Sequence, residues 1–265
     1  MARKPVLSPS RITTYLACPT KYMWTYIDPR GKWFARAKSY YSFGSSLHAV
    51  LQRFHDAGDV GVQTKEQAIA ALEESWVDAG YSSPEEAQEA LAEGRELIST
   101  YVEEQIAAPS EAKTIYIEKQ LRKDMGDFVL MGRIDRVDEW PDGKIEIIDY
   151  KSGRTETDPD ELLNDIAMNC YHLLLRGVLP DNKMVSTIIA VRTGSKTTVE
   201  PTEAALEEFR HDLLKLGGEI LNREWEDVRP MAKSICCDCD FLELCKRDGD
   251  FAKTFAAEYG ALNAD

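Results

Sequence analysis

Apolar residues recur along the chain with two periods, one typical of helices and one typical of strands. A period near 3.6 residues predicts helices, and it covers Ser8 to about Tyr26, Ser42 to about Ala57, 65–80, 84–107, Pro159 to about Arg176, and 202–223. Alternation and short apolar runs predict strands at 113–123, 131–138, 145–153, 184–191 and 197–199. The order of these elements predicts an α/β core in which helices flank a central mixed β-sheet.

The best-marked strands form a predicted hairpin around Pro141-Asp142-Gly143, because Asp-Gly between two apolar runs is a strong turn signal. Side chains alternate along a strand, so Asp149 and Lys151 project from the same face. Asp135, in the partner strand, reaches that face if the register allows it. Two carboxylates and a lysine that converge are the minimal set for a divalent-metal phosphodiester hydrolase, because Mg²⁺ prefers carboxylate oxygens, water and phosphate as ligands.

These residues also have simpler interpretations. An Asp-x-Lys pair is often the solvated face of an edge strand, but the flanking Ile145, Ile147 and Ile148 are typical of a central strand, where an unpaired charge is costly. His48 lies beside the apolar stripe of the helix from Ser42, where a histidine is usually a packed residue. An imidazole can also join carboxylates around a metal, so His48 stays a candidate.

The composition is that of a globular protein with one large domain, or with a core that carries an insertion. The chain has 265 residues, of which 43% are hydrophobic and 29% charged. No apolar run approaches the length of a membrane span, and no secretory signal is visible. We therefore expect a cytoplasmic protein without a membrane segment. No GxxxxGK loop is present, so we do not expect the chain to hydrolyse ATP.

Charge is distributed unevenly along the chain, although its net value is −14. The first 53 residues contain nine Lys and Arg and one acid, whereas residues 54–110 contain thirteen acids and two bases. A basic segment beside an acidic remainder predicts a local face that binds phosphate. The acidic stretch holds the predicted helices 65–80 and 84–107, which we interpret as an insertion that shapes the site.

Aromatic and basic residues alternate in the segment 22–43, and this mixture is typical of surfaces that hold single-stranded nucleic acid. Core packing is the alternative. It is favoured for the rings on the first predicted helix, Tyr15, Tyr22 and Tyr26. Both interpretations stay open for the rings in the turn-rich stretch that follows, Trp33, Phe34, Tyr40 and Tyr41.

The chain contains six cysteines, Cys18, Cys170, Cys236, Cys237, Cys239 and Cys245. The last four lie within ten residues, and three of them have the spacing C-x2-C-x5-C, which indicates a metal site in an intracellular protein. Cys18 is the favoured fourth ligand; Cys237 is the local alternative, although neighbouring residues seldom face the same metal. Four thiolates suit zinc or an iron–sulfur cluster, and the lack of a second C-x2-C pair favours the cluster. Cys170 is predicted to be a buried structural thiol.

Five motifs occur in order: Ser8-Pro9-Ser10-Arg11 with Cys18-Pro19, Gly44-x3-His48, Gly132-Arg133-Ile134-Asp135, Asp149-Tyr150-Lys151-Ser152-Gly153, and the closing cysteines. This set resembles the PD-(D/E)XK nucleases of the RecB type, in the branch that carries an iron–sulfur cluster. That branch includes the nuclease part of AddB-like helicase–nuclease subunits and the CRISPR-associated exonucleases. The resemblance implies a single RecB-like domain over 1–265, with a restriction-endonuclease-like core and a helical insertion at 54–110.

The resemblance implies that one set of residues binds Mg²⁺ or Mn²⁺ and cleaves DNA: His48, Asp135, Asp149, the carbonyl of Tyr150, the catalytic Lys151, and Tyr171. It implies a 4Fe–4S cluster within 1–26 and 230–250, bound by Cys18, Cys236, Cys239 and Cys245. Members of the family commonly act as DNA exonucleases, often on single strands. A helicase or a CRISPR-integration protein is the partner that the resemblance implies.

One position departs from the family pattern. A glutamine usually lies four residues before the tyrosine on the helix after the lysine strand, and here that position is Ala167, before Tyr171. We expect either reduced activity or a substitute in Asn164 or Asn169. The departure motivates an alternative function, a DNA-binding or assembly subunit of a helicase–nuclease or integration complex with little or no catalysis.

Overall fold

The computed structural model describes residues 4–56 and 61–260, and they form two compact units. The first, here called the sheet unit, comprises Met1–Pro9 and Ala37–Lys215; the second, the cysteine unit, comprises Ser10–Arg36 and Leu216–Asp265. The predicted helix end at Ala57, part of the 54–110 insertion and both ends of the predicted 1–265 domain lie outside the described residues. The assignment of the chain to a single domain stays a prediction.

A six-stranded mixed sheet is the centre of the sheet unit, which confirms the predicted α/β class. Its strands are β1 (Val6–Leu7), β2 (Lys113–Asp124), β3 (Val129–Glu139), β4 (Ile145–Lys151), β5 (Met184–Ala190) and β6 (Ser195–Val199). They are ordered β1-β3-β4-β5-β6, and β2 also pairs with β3. β4 and β5 are parallel, whereas β3–β4 and β5–β6 are antiparallel. All five predicted strands are present; β1 was not predicted because two residues carry no periodic signal.

The predicted hairpin is formed by β3 and β4, which pair antiparallel over residues 136–139 and 145–148. The Gly143 N–H donates to the Trp140 carbonyl at 2.8 Å and closes the turn. β4 lies between β3 and β5, and its isoleucines are at most 1% exposed. The central position of β4 confirms the interpretation of its apolar run and excludes an edge strand.

Ten α-helices lie within the described residues: α1 (Pro9–Ala17), α2 (Pro19–Tyr22), α3 (Ser39–His55), α4 (Lys65–Ser75), α5 (Pro84–Ala107), α6 (Pro159–Leu163), α7 (Ile166–Leu175), α8 (Glu203–Leu221), α9 (Leu242–Cys245) and α10 (Gly249–Tyr259). None of them combines the length and the apolar character that crossing a membrane requires.

The acidic helices α4 and α5 share an apolar core with α3 and β4. Leu51 of α3, Leu72 of α4 and Ile98 of α5 are almost fully buried and cluster with Ile148 and Tyr150 of β4. Full burial of one such side chain stabilises a fold by about 1.5–3 kcal/mol. The helices of the predicted insertion are therefore packed against the strand that carries the Asp-x-Lys motif.

Two predicted helices are each broken in the structure. The first ends at Ala17 because Cys18 is extended (φ −163°) before Pro19, and α2 is followed by a π-helical turn at Met23–Ile27. The second is interrupted between α6 and α7, where the Asp165 side chain accepts the Met168 N–H and caps α7. In both cases a local capping side chain starts a new helix, which an apolar period alone does not detect.

The cysteine unit has its own apolar core, formed by Cys236, Leu242, Phe251 and Phe255. Tyr15 and Tyr22 are each 3% exposed and pack against Trp225. Tyr15 and Tyr22 are therefore core residues, as predicted, whereas Tyr26, for which the same was expected, is half-buried. Trp33, in contrast, is 78% exposed.

Candidate metal centre

Three side chains from three elements of the sheet unit meet at one point. His48 lies on α3, Glu118 on β2 and Asp135 on β3, and one ligand atom of each lies within 4.8 Å of the other two. His48 Nδ1 is 3.5 Å from Asp135 Oδ2 and 3.9 Å from Glu118 Oε1. An imidazole and two carboxylates are donors that divalent cations accept. These residues could therefore hold a metal ion.

Asp135 lies where β3 and β4 stop pairing. The last backbone pair is formed by Arg136 and Ile148. Beyond it the Asp135 carboxylate takes the place of a backbone acceptor, because its Oδ2 atom accepts the Tyr150 N–H at 3.0 Å. Because the two strands diverge here, the Asp135 carboxylate is held beside the peptide group that joins Asp149 and Tyr150.

Glu118 was not predicted from the sequence. The register of β2 and β3 places it opposite Asp135, and its side chain pairs with His48 and with Arg133. Within residues 4–56 and 61–260 it is the only non-glycine residue with a positive φ, +48°. A glutamate rarely adopts this conformation. The only sequence signal was a charged residue inside a strand pattern, which by itself indicates nothing about a site.

The hydrogen bonds of His48 define its tautomer. Its Nε2 atom lies 3.0 Å from the Tyr150 carbonyl, and because a carbonyl only accepts, Nε2 must carry the proton. In the neutral ring the Nδ1 lone pair then faces the two carboxylates and can bind a cation. Burial lowers the pKa of His48, but the hydrogen bond and charge of Asp135, together with the charges of Asp149 and Glu118, outweigh it, so that the pKa is raised.

Asp149 and Lys151 form a close ion pair beside this group, with Lys151 Nζ 2.7 Å from Asp149 Oδ2. Burial raises the pKa of Asp149 to about 6, with Lys151 opposing the rise and Asp135 adding to it. Burial lowers the pKa of Lys151, but the charge and hydrogen bond of Asp149, together with the charges of Asp165 and Asp135, outweigh it, so the pKa is raised and the ammonium form is favoured. A cation bound beside Asp149 would favour its charged form and so oppose the rise in its pKa.

Tyr171 lies on α7 and is 8% exposed. Burial raises its pKa well above the usual value, and the charges of Asp149 and Asp135 raise it further, so its hydroxyl stays protonated near the site. Ala167 is half-buried. The amide groups of the two expected substitutes are bound locally, because Asn164 donates to the Asp160 carbonyl and Asn169 to the Leu163 carbonyl.

An open cleft leads to these residues. Its floor is formed by His48, Glu118, Asp135 and Lys151, and its walls include Tyr40, Tyr41, Arg133 and Arg192. Tyr40 and Tyr41 lie at the start of α3 with 53% and 68% of their surface exposed. The cleft therefore offers carboxylates at its floor, and cations and exposed rings on its walls.

In the cysteine unit, one small cavity is lined by the four cysteines of the predicted cluster, Cys18, Cys236, Cys239 and Cys245. Burial, then the nearby thiols of Cys239, Cys18 and Cys236, raise the pKa of Cys245 to about 12. Cys237 is not among the lining residues. Cys170, on α7, is fully buried as predicted. The structure thus brings together the favoured four thiols.

A family model described as the PD-(D/E)XK nuclease superfamily matches residues 6–246 of the chain. The chain is also similar to a protein of Streptococcus pyogenes, serotypes M12 and M28, that is named as a component of an ATP-dependent helicase/deoxyribonuclease. The two sequences are 28% identical over 148 residues. The match covers 52% of this chain and only 13% of each relative.

Among solved structures, the chain is similar to the crystal structure of SSO0001, with 12% identity and a TM-score of 0.36. This alignment covers 77% of the chain and 84% of the other protein.

Proposed function

Because the chain belongs to the PD-(D/E)XK nuclease superfamily, and its mixed sheet flanked by helices is consistent with the restriction-endonuclease-like fold, we propose that it is a metal-dependent DNA exonuclease that prefers single-stranded ends. The observation that carries the proposal is the convergence of His48, Glu118 and Asp135 next to the Asp149–Lys151 pair. None of the six cysteines, all of which lie within the described residues, forms a disulfide. This is typical of proteins in the reducing cytosol, where we propose that this protein acts.

The residues of the centre fit Mg²⁺ or Mn²⁺, because they offer hard oxygen donors and one imidazole. His48, Asp135 and Asp149 would hold the ion, and the geometry adds Glu118 to this set. The Tyr150 carbonyl, which the resemblance implies as a further ligand, accepts the proton of His48 Nε2 on the side of the ring away from Nδ1 and would therefore orient His48 rather than bind the same ion. When bound, such an ion lowers the pKa of water and polarises the phosphoryl oxygen. The Lys151 ammonium, held by Asp149, orients the attacking water and stabilises the negative charge that develops on the phosphate.

The walls of the cleft suit an unpaired strand. Arg133 and Arg192 can bind phosphate oxygens, and the exposed rings of Tyr40 and Tyr41 can stack on bases. Along α3, His48 is seven residues from Tyr41, or about 10 Å at the helical rise. That distance corresponds to about three stacked nucleotides. A base near the tyrosines and a phosphate at the metal can therefore belong to one short single strand.

We further propose that the four thiols lining the cavity of the cysteine unit bind a structural 4Fe–4S cluster. Four thiolates are the ligand set of such clusters. The Cys18 Sγ accepts the Lys21 N–H at 3.4 Å, and hydrogen bonds to ligand sulfurs are typical of these sites. The cluster would connect the segment of Cys18 with the C-terminal segment of the same unit.

The helicase/deoxyribonuclease relative suggests a helicase as one partner, and an integration complex of the CRISPR type is the other that we propose. Ala167 favours a second candidate function, a DNA-binding subunit with little catalysis, since the side-chain amides of Asn164 and Asn169 each donate to a nearby backbone carbonyl, which holds them in a local role. In that case DNA binding would survive loss of Asp149, and the protein would form a stable complex with its partner.

The decisive experiment is cleavage of end-labelled single-stranded DNA with Mn²⁺ by anaerobically purified protein. Asp149→Asn and Lys151→Ala should each reduce the rate by about 10²-fold or more, whereas Asp127→Asn, an exposed aspartate in the β2–β3 turn, should leave it unchanged. Circular single-stranded DNA should resist cleavage. Equal cleavage by wild type and Asp149→Asn would refute the nuclease assignment. Inactivity of the wild type and of every variant would favour the binding subunit.

A further inference from the structure

A network of buried polar side chains lies behind the metal centre in the sheet unit. Its core is Arg136, which is 6% exposed. The Arg136 guanidinium donates to Asp138 from Nε at 2.9 Å and from Nη2 at 2.5 Å. Asp138 is 1% exposed and also accepts the Thr114 hydroxyl at 2.8 Å. The charge of Arg136 is thus balanced, which a buried cation requires.

The remaining donor group of Arg136 points to two other members. Its Nη1 atom donates to the Tyr150 hydroxyl at 2.8 Å and to His55 Nε2 at 2.6 Å. Burial and the Arg136 charge lower the pKa of His55 to about 2, so the ring stays neutral and can accept this bond. The hydroxyl of Tyr101 completes the network, 3.1 Å from that of Tyr150 and 2.7 Å from His55 Nε2.

Tyr150 connects this network to the centre because its backbone and its side chain face different partners. Its N–H donates to Asp135 and its carbonyl accepts from His48, both at 3.0 Å. Its ring is 5% exposed, and its hydroxyl is held by Arg136 and Tyr101. Fixing the phenol therefore fixes the peptide groups that orient two candidate ligands.

The other members of the network lie on the same elements as residues of the centre or pack against them. Arg136 follows Asp135 on β3, and His55 lies seven residues, two helical turns, after His48 on α3. Tyr101 lies on α5, one of the two acidic helices that the sequence predicted to be an insertion that shapes the site. The Tyr101 hydroxyl thus contacts residues of β4, which carries Asp149 and Lys151, and of α3, which carries His48.

We propose that Tyr101, with Arg136 and His55, is a positioning residue of the metal centre, and that α5 is a working part of this centre through it. The inference rests on the proposed metal-dependent function. A buried polar network can also be purely structural. The two roles differ in what they predict: a positioning role changes metal affinity, whereas a structural role changes only the stability of the fold.

The test uses Tyr101→Phe and Tyr150→Phe, each of which removes one hydroxyl and keeps the ring. Ser186→Ala is the matched control, because it also removes one buried hydroxyl. Ser186 lies on β5, its hydroxyl is 2.8 Å from His172 Nε2, and it does not line the cleft. Mn²⁺ binding is measured without DNA by electron paramagnetic resonance of the free ion. Cleavage and urea unfolding are measured on the same samples.

Both tyrosine variants should bind Mn²⁺ about three- to tenfold more weakly, somewhat less than loss of a direct partner of a ligand costs, whereas Ser186→Ala should bind it like wild type. In the double variant the loss should be smaller than the sum of the two single losses, since both variants remove the hydrogen bond between Tyr101 and Tyr150. Unchanged Mn²⁺ affinity in both tyrosine variants, or an equal loss in Ser186→Ala, would overturn the proposal.

The same samples separate this proposal from the nuclease assignment. Wild-type protein that binds Mn²⁺ but does not cleave DNA would refute the nuclease, and the positioning role would still be decided by the affinities. Cleavage by wild type combined with unchanged affinity in the tyrosine variants would refute the positioning role alone. Wild-type protein that binds no Mn²⁺ would refute the metal centre and the positioning role together.

Discussion

Two carboxylates that lie opposite each other on neighbouring strands repel unless a positive charge lies close to both. Glu118 and Asp135 have this arrangement, and burial and the Asp135 charge raise the pKa of Glu118. The positive φ of Glu118 adds a backbone cost of about 1–3 kcal/mol. Both costs are expected where a structure holds ligands in place for a cation.

Glu118→Gln tests this interpretation, because it keeps the size of the side chain and removes its charge. We expect Mn²⁺ binding to weaken by about tenfold or more, as for other losses close to a metal, and cleavage to need correspondingly more Mn²⁺. The control is Glu139→Gln, the same change at an exposed position of β3. Equal Mn²⁺ affinity in the two variants would show that Glu118 is not a ligand.

The sequence allowed some residues of the centre to be predicted and not others, for a physical reason. Asp149 and Lys151 share one face of a predicted strand, and His48 and Asp135 lie in short motifs that resemble those of the family. Glu118 depends on the register of β2 against β3 and on one unusual backbone conformation. Tyr101 depends on how a separate helix packs. Contacts of this kind are not encoded in local spacing.

At the scale of elements, two glycines bring helices close to the centre. A Cβ atom on Gly132 of β3 would lie 2.7 Å from the Leu174 Cδ1 and 3.1 Å from the Tyr171 ring of α7. A Cβ atom on Gly44 of α3 would lie 2.9 Å from the Ser152 hydroxyl. The neighbours of Gly132 are buried side chains of a packed helix, whereas the neighbour of Gly44 is a hydroxyl that can rotate.

Gly132→Ala and Gly44→Ala should therefore differ in the sign or the size of their effect on the free energy of unfolding. We expect Gly132→Ala to lower the free energy of unfolding by about 1–3 kcal/mol, because the buried side chains of Leu174 and Tyr171 must shift, and to slow cleavage by displacing Tyr171. Gly44→Ala gains up to about 1 kcal/mol of helix propensity, which offsets the contact with Ser152. Urea denaturation with a cleavage assay checks both, and equal destabilisation would contradict the packing argument.

The pattern of elements was predicted more completely than the breaks within them. Every strand longer than two residues was predicted, because alternation and apolar runs report burial directly. The break at Cys18 was signalled by Pro19, since the residue before a proline avoids the helical conformation. The break before α7 depends on Asp165, whose capping bond replaces a helical one. Capping residues, taken together with the apolar period, indicate both helix breaks.

At the scale of the whole molecule, the basic character of the first 53 residues is smaller than their composition suggests. Within the described residues 4–53, several cations pair with carboxylates of their own unit, among them Lys4 with Asp124, Arg30 with Asp28, Arg36 with Asp240 and Arg53 with Glu74. Exposed pairs stabilise a fold little, but they reduce the local positive charge. The cations that line the cleft, Arg133, Lys151 and Arg192, come instead from later in the chain. The predicted basic face stays a prediction.

The proposed cluster connects residues far apart in sequence. Cys18 is separated from Cys236, Cys239 and Cys245 by roughly 220 residues, and a cross-link that closes a loop of this length stabilises a fold by about 5 kcal/mol in the chain-entropy model. Metal binding is then part of the folding energy. Loss of one ligand should consequently be seen as a loss of stability, independently of any cleavage assay.

Cys18→Ser in anaerobically purified protein should therefore lose iron and visible absorbance and should unfold at a lower urea concentration. Cys237→Ser is the matched control, because this thiol is next to a proposed ligand but does not line the cavity, and it should retain both iron and stability. The reverse result would assign the site to the C-terminal cysteines alone, because Cys237 would then replace Cys18. A colourless wild-type protein that contains zinc would refute the iron–sulfur cluster and would still leave four thiolates around one metal.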